Sequence, residues 1–350
     1  MNLNKNFVPL DEFINKALYS TKNGFYMKNN PFGAKGDFTT SPNISILFSE
    51  MLSIWTVSFW QNLKCPKKIN LIELGSGNGQ MIYDMINSLQ SFPKFFKSCK
   101  FIILEKSPYL KKIQKKKLKK FNIKWIKNLN QIEKGNNIFI ANEFFDALPI
   151  KQFFKINNKW NERFVKLDKK NNKCFVNIYS DIKKIEKKVG YKISNNQKVI
   201  EYSPIALKYL KNISKKINNK KGALLIIDYG YLEDSMKDTL MAIRKHKITE
   251  LFNEFGNSDI TYKLNFKLLK KITNILKLKC QGITTQRNFL MSLGIEKRAE
   301  IISKDLPFLK KADIYYRLNR LINKKQMGNL FKVMLITDLK TNFKVGFELD

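Results

Sequence analysis

From about residue 68 the apolar and polar positions of the chain switch repeatedly between two periods. The run "INLIELG" (69–75) is almost continuously apolar, the pattern of a strand buried on both faces. It leads into "GQMIYDMINSLQ" (79–90), where apolar residues recur at helical spacing. The exchange repeats in "KFIILEKS" (100–107) and "PYLKKIQKKKLKKF" (108–121). The short strand "IKWIK" (123–127) follows, and then "NNIFIANEFFDALP" (136–149), a strand running into a loop. Strands alternating with helices predict a mostly parallel central sheet covered on both faces, an α/β fold.

Ahead of this pattern, residues 1–67 predict a mostly helical segment interrupted by the loop "NNPFGAKGDFTTSPN" (29–43). Behind it, residues 151–180 read as hairpin-like strands with Asn-rich turns. A helix is predicted near 204–218 and a strongly apolar strand, "GALLIIDYG", at 222–230. Mixed helical segments then extend to about 325, before a last strand, "LFKVMLITDL" (330–339). There is no internal repeat and no Pro/Gly/Ser linker. The reading is a helical N-terminal segment (1–67) followed by one α/β domain (68–350), with insertions at about 151–220 and 240–325.

Composition narrows the function. Hydrophobic residues make up 43% of the 350, enough for a sizeable core. No stretch reaches the ~20 apolar residues that cross a bilayer; the longest apolar helix candidate, Ile46 to Trp60, carries Glu50. Asp11 and Glu12 stand where a signal peptide would be apolar, so neither membrane insertion nor a targeting segment is expected. Cys65, Cys99, Cys174 and Cys280 lie far apart, and His246 is the single histidine. That combination predicts no metal site, no disulfide framework and a reducing, cytoplasmic compartment.

The formal net charge of +36 raises the question of an anionic partner. Six of the 65 basic residues are arginine, the side chain best suited to bidentate phosphate and base contacts, and that scarcity argues against nucleic acid. Runs such as "KKIQKKKLKK" (111–120) suit a solvated helix face.

The informative turn is Gly75, Gly77 and Gly79, directly behind Glu73. A strand, a glycine turn and a helix together offer backbone N–H groups and a positive helix end. The dinucleotide fingerprint G-x-G-x-x-G would need a third glycine where Gln80 stands, which disfavours a nicotinamide dehydrogenase. Glu73 would repel a pyrophosphate but attract the ammonium and sulfonium of S-adenosylmethionine. Glu105 ends the next strand, where a carboxylate can take both ribose hydroxyls. In "ANEFFDALPIKQF" (141–153), Glu143 and Asp146 are three apart, so one turn can aim both at the same space. Such a pair can bind the N–H fork of a guanidinium and help remove its proton, with Phe144 and Phe145 beside the cation. The other reading of this loop is an ordinary acidic turn.

These stretches, with "NPFGAKGDFTTSPNIS", "FSEMLSIW", "LEKSP", "IDYGY", "DTLMAIRKHK", "SDITYKLNF", "TQRNFLMSLGI" and "MGNLFKVM", stand in the order seen in the MidA family of methyltransferases, which the chain closely resembles. The resemblance implies a Rossmann-like class I methyltransferase fold, S-adenosylmethionine as cofactor and methylation of a protein arginine. In the mitochondrial members, which act in complex I assembly, the target is a core NADH dehydrogenase subunit, and those relatives work in the matrix. The resemblance also places Gly36, Asp37 and Thr40 of the "GDFTTSP" loop and Asn142 at the cofactor. The sequence departs from the family pattern at Asn43 (usually glutamate), Asn78 (usually arginine), and Lys263 and Asn265 (usually histidine and aspartate). An RNA methyltransferase, or an assembly chaperone that keeps the fold and binds the cofactor with weak catalysis, are the alternatives. Whether the chain is a monomer or a homodimer stays open at this level.

Overall fold

The computed structural model describes residues 7–28, 31, 40–167 and 173–348. Seven strands make its central sheet: Ile69–Leu74 (β1), Cys99–Leu104 (β2), Ile123–Ile126 (β3), Asn136–Asn142 (β4), Gly222–Tyr231 (β5), Lys279–Thr285 (β6) and Phe331–Thr337 (β7). Their spatial order is β3-β2-β1-β4-β5-β7-β6. Strands β1 to β5 are parallel, and β7 runs against both β5 and β6. The two-residue strand Leu264–Asn265 extends the sheet beside the end of β5.

Alternate side chains of each strand enter different cores. Leu71 of β1 and Leu225 and Ile227 of β5 belong to one cluster; Ile72 and Leu74 of β1 and Leu224 and Ile226 of β5 belong to the other. A period of two in a strand buried on both sides makes both sets apolar. Each fully buried Leu or Ile side chain contributes roughly 1.5–3 kcal/mol, so this sandwich fixes where the strand ends lie. The helix Ile46–Asn62 starts on a Ser45 cap, its hydroxyl accepting from Leu47 N at 3.3 Å. It buries Leu47, Phe48, Met51, Leu52, Trp55 and Phe59, and is covered on most of its faces.

A second, five-stranded antiparallel sheet is built by Phe7–Pro9, Lys151–Ile156, Lys159–Leu167, Lys173–Tyr179 and Val199–Tyr202. The hairpin expectation for 151–180 holds, and Phe7–Pro9 ties the N-terminal segment to that sheet through the Val8–Val165 register. Two features differ from the sequence reading. Residues expected to be mixed helix include β6 and a three-stranded sheet of Met241–Arg244, Lys247–Thr249 and Asp259–Thr261. These strands are short or at an edge: β6 carries Lys279, Gln281 and three threonines or glycines and buries little, so it lacks the apolar run of a central strand.

The order of strands reverses between β1 and β4. In open α/β sheets ligands bind outside the carboxyl ends of the strands at such a switch point. The glycine turn follows β1 and the acidic loop follows β4, so both face that crevice.

Candidate active site

Gly75, Gly77 and Gly79 all have positive φ (69°, 52° and 77°), a region that other residues enter only with strain. The turn is tied down by Gly75 N donating to Leu104 O at 3.0 Å and Gly79 N donating to Ser76 O at 2.7 Å. A side chain at Gly75 would also meet the Phe144 ring, with a Cβ 2.8 Å from Phe144 Cδ2. Gly79 precedes the helix Gln80–Leu89, whose first turn carries no acid and no side-chain cap from Gly79. Its N-terminal N–H groups and dipole favour an anionic group beside the turn.

Glu73 is 4% exposed, and its Oε2 accepts from Ser76 Oγ at 2.6 Å. Burial, aided by the nearby charge of Glu105, pushes its carboxyl up to about 7 despite that hydrogen bond. Glu105 is also buried, and burial raises it. Its Oε1 accepts from Ser107 N (2.8 Å) and its Oε2 from Gln114 Nε2 (2.9 Å). The Lys106 backbone N–H also favours its ionised form, and a carboxylate with about four acceptor positions keeps capacity for a ligand hydroxyl beyond these donors.

The loop after β4 holds the acids. Glu143 has φ 49°, a left-handed conformation unusual for a non-glycine residue and a known mark of functional sites. Its backbone N–H donates to Ile227 O, while its carboxylate accepts from Asn142 Nδ2 (3.2 Å) and Tyr229 Oη (3.4 Å). It keeps part of its surface open to the crevice, yet loss of solvent pushes it up to about 7. Asp146 is 6% exposed and is raised by burial first, then by Asp228, Asp259 and Glu143. Thr261 Oγ1 donates to its Oδ2 at 3.1 Å, and its buried Oδ1 has no hydrogen-bond partner among the described residues. Asp228 has a different task. It accepts from the N–H groups of Phe145, Asp146 and Tyr229 at 2.9–3.2 Å and so pins the loop.

Two small cavities, about 80 and 40 Å³, meet at Gly75, Gly77 and Glu143. The first is also lined by Glu105, Phe144, Tyr19, Tyr26 and Tyr209; the second by Glu73, Thr40, Asn43 and Asn142. Asp146 lines neither and lies behind Glu143. A more spacious cavity of about 680 Å³ opens between Tyr83, Cys99 and Asn122, at the amino ends of β2 and β3. That is the wrong end of the sheet for a ligand, and it has neither the turn nor the buried acids.

The N-terminal segment supplies the roof. Tyr19 Oη donates to Ala147 O (2.9 Å), Tyr26 Oη to Asp259 Oδ1 (2.7 Å), and the two rings stack at 5.6 Å. Tyr19, Tyr26 and Asp259 escaped the sequence reading because only the folded chain brings them to the loop. Of the "GDFTTSP" residues, Gly36 and Asp37 lie outside the described residues. Thr40 is buried, and its hydroxyl accepts from Asn43 Nδ2 at 2.7 Å. Asn43 Oδ1 in turn accepts from Asn78 Nδ2 at 2.8 Å. The two positions at which the sequence departs from the pattern it resembles, Asn43 and Asn78, therefore meet in this structure as a neutral amide pair. Asn265 caps the helix Phe266–Ile275, with Oδ1 accepting from Leu268 N at 2.9 Å, a task asparagine and aspartate share. Lys263 is exposed.

Residues 51–284 match the family described as "Putative S-adenosyl-L-methionine-dependent methyltransferase". The chain belongs to this family. The methyltransferase is similar to proteins named "Protein arginine methyltransferase NDUFAF7, mitochondrial": 29% identical to that of Xenopus laevis over 93% of this chain and 80% of the relative, and 26% identical to that of Homo sapiens over 93% and 78%. Its fold is that of a Burkholderia thailandensis protein crystallised with S-adenosyl-homocysteine, with a TM-score of 0.81, 20% identity, and cover of 97% of this chain and 90% of that one. The methyltransferase thus has a Rossmann-like fold and uses S-adenosylmethionine. Its own residues fit that cofactor: a turn with three positive φ angles, buried Glu73 and Glu105 beside it, and a buried Asn142 Oδ1 with no partner among the described residues.

Proposed function

We propose that this methyltransferase modifies the guanidinium of an arginine in a protein. The observation that carries the reading is the loop after β4, where Glu143, Asp146 and Asp259 gather under Tyr19 and Tyr26 and the Asp146 Oδ1 is buried without a partner among the described residues. Asp259 helps raise Glu143, and Asp259 and Glu143 help raise Asp146, so a cation among them would be stabilised. The curated relatives' names support the same substrate group.

In this reading Gly75, Gly77, Gly79, Glu73, Glu105, Thr40 and Asn142 hold the cofactor, together with Gly36 and Asp37. Bound S-adenosylmethionine supplies an electrophilic methyl group on a sulfonium. Glu143 faces the acceptor nitrogen, fixes the guanidinium plane and takes its proton. Because a guanidinium keeps its proton in the ground state, that loss accompanies or follows attack. A carboxylate held near 7 can accept the proton and pass it to water at neutral pH. Asp146 adds charge from behind. The resemblance read from the sequence extends the proposal to a core NADH dehydrogenase subunit as substrate and to a role in respiratory complex assembly. The cysteine spacing read from the sequence extends the proposal to a reducing compartment such as the cytoplasm.

The test uses purified protein, labelled methyl donor and a lysate from cells lacking the enzyme, with the modified residue mapped. A labelled protein arginine is expected, with turnover falling at least a hundredfold in Glu143→Gln while cofactor affinity stays within threefold. Label on RNA, or on no macromolecule, would overturn the reading.

A further inference from the structure

The helix Pro108–Lys117 carries one polar side chain that is wholly buried, Gln114. Its Nε2 donates both to Gly77 O and to Glu105 Oε2, each at 2.9 Å. Its Oε1 accepts from Trp125 Nε1 at 3.0 Å. One carboxamide therefore joins the turn after β1, the acid after β2 and strand β3. Its Cα and Cγ also stand 3.7 and 3.4 Å from where a Cβ on Gly79 would be, so the same residue backs the last glycine of the turn.

We propose that Gln114 is a positioning residue for the cofactor: it sets the distance between the glycine turn and Glu105 and orients the Glu105 carboxylate. The chemistry requires an amide. The two N–H groups must reach a carbonyl and a carboxylate at once, while the oxygen must accept from an indole; an acid offers no donor when ionised, and an alkyl chain offers neither. With Ser107 N–H on its other oxygen, Glu105 is held from both sides where it lines the crevice. A hydroxyl pair bound there would meet a preset geometry and not a rotating side chain.

This inference rests on Glu105 as a cofactor ligand, and the experiment separates the two. Affinity for S-adenosyl-homocysteine is measured by calorimetry on the full chain for Glu105→Gln, Gln114→Leu and the double variant. Gln114→Leu is expected to weaken binding about tenfold in the wild-type background and less than twofold when Glu105 is already glutamine. If Glu105→Gln alone binds like wild type, the Glu105 role fails. If Glu105→Gln weakens binding and Gln114→Leu does not, or if Gln114→Leu has the same effect in both backgrounds, the positioning role fails. Gln114→Glu covers the case in which the leucine variant does not fold. Compared with wild type at the same pH, it should bind weakly at pH 8, where two carboxylates oppose each other, and regain at least fivefold of that deficit by pH 6, where the new acid can be protonated and donate to Glu105. A weakening with no more pH dependence than wild type would mean a packing role only.

Discussion

Cofactor affinity should depend on pH through Glu73. Its carboxyl stands at about 7 in the free protein because it is buried, with Ser76 as its hydrogen-bond donor and Glu105 as a like charge nearby. A ligand ammonium beside it requires the ionised form. With a pKa near 7, about one site in eleven is ionised at pH 6 and about ten in eleven at pH 8, so affinity should fall roughly tenfold between pH 8 and pH 6, or ~1.4 kcal/mol. The sign for stability is opposite. The folded state holds this proton more tightly than the unfolded chain, so its contribution is present below the ordinary glutamate range and is lost as pH rises through about 7. Ligand should recover that loss. Calorimetry with S-adenosyl-homocysteine in two buffers of different ionisation enthalpy reads both quantities: the affinity, and a release of about half a proton per ligand at pH 7. Glu73→Gln should bind more weakly at pH 8 and lose most of the pH dependence. Flat affinity from pH 6 to 8 in the wild type, or an unchanged slope in Glu73→Gln, would refute the argument.

Two further outcomes follow from the turn and its roof. Gly75→Ala forces a residue with φ 69° and a Cβ 2.8 Å from Phe144 Cδ2, so it should destabilise the protein by roughly 1–3 kcal/mol in denaturant melts and weaken S-adenosyl-homocysteine binding. Asn43→Glu or Asn78→Arg alone places one unbalanced charge in a partly buried amide pair, and each should lower the melting temperature. The double variant should recover most of the loss as the two charges meet, and strict additivity in that cycle would contradict the pairing.

Strands β1, β2, β4 and β5 were legible because both their faces are buried, so apolar residues dominate along them and the polar ones, such as Glu73, Asn142 and Asp228, stand mostly towards the ends. The turn was legible because Gly75, Gly77 and Gly79 follow an acid at a spacing that one ligand class suits. Edge strand β6 was not, since a strand with one covered side and mixed residues has no distinctive period. Gln114 was hidden inside a lysine run that read as a solvated face. A signal was present: it lies four residues from Leu110 and four from Leu118, both buried, so it continues the inward stripe. For Asp259 no local signal exists. Its place beside Tyr26 comes from a contact spanning 233 residues.

That long reach has a consequence in time. The helix Ile46–Asn62 buries Leu47, Phe48, Met51, Trp55 and Phe59, yet Trp55 Nε1 donates to Val345 O, 290 residues later, and Trp55 and Phe59 pack edge-on against Phe343. While the chain is being made, this apolar helix emerges long before Phe343 and Val345, the residues that cover Trp55 and Phe59. An unfinished chain therefore carries an exposed aromatic surface, the kind that invites aggregation or a chaperone. The roof of the acceptor crevice waits as well, because Tyr26 has no Asp259 to donate to until that residue has left the ribosome. Completion of the roof in nascent protein is thus a late event, set by a residue 233 positions downstream of Tyr26.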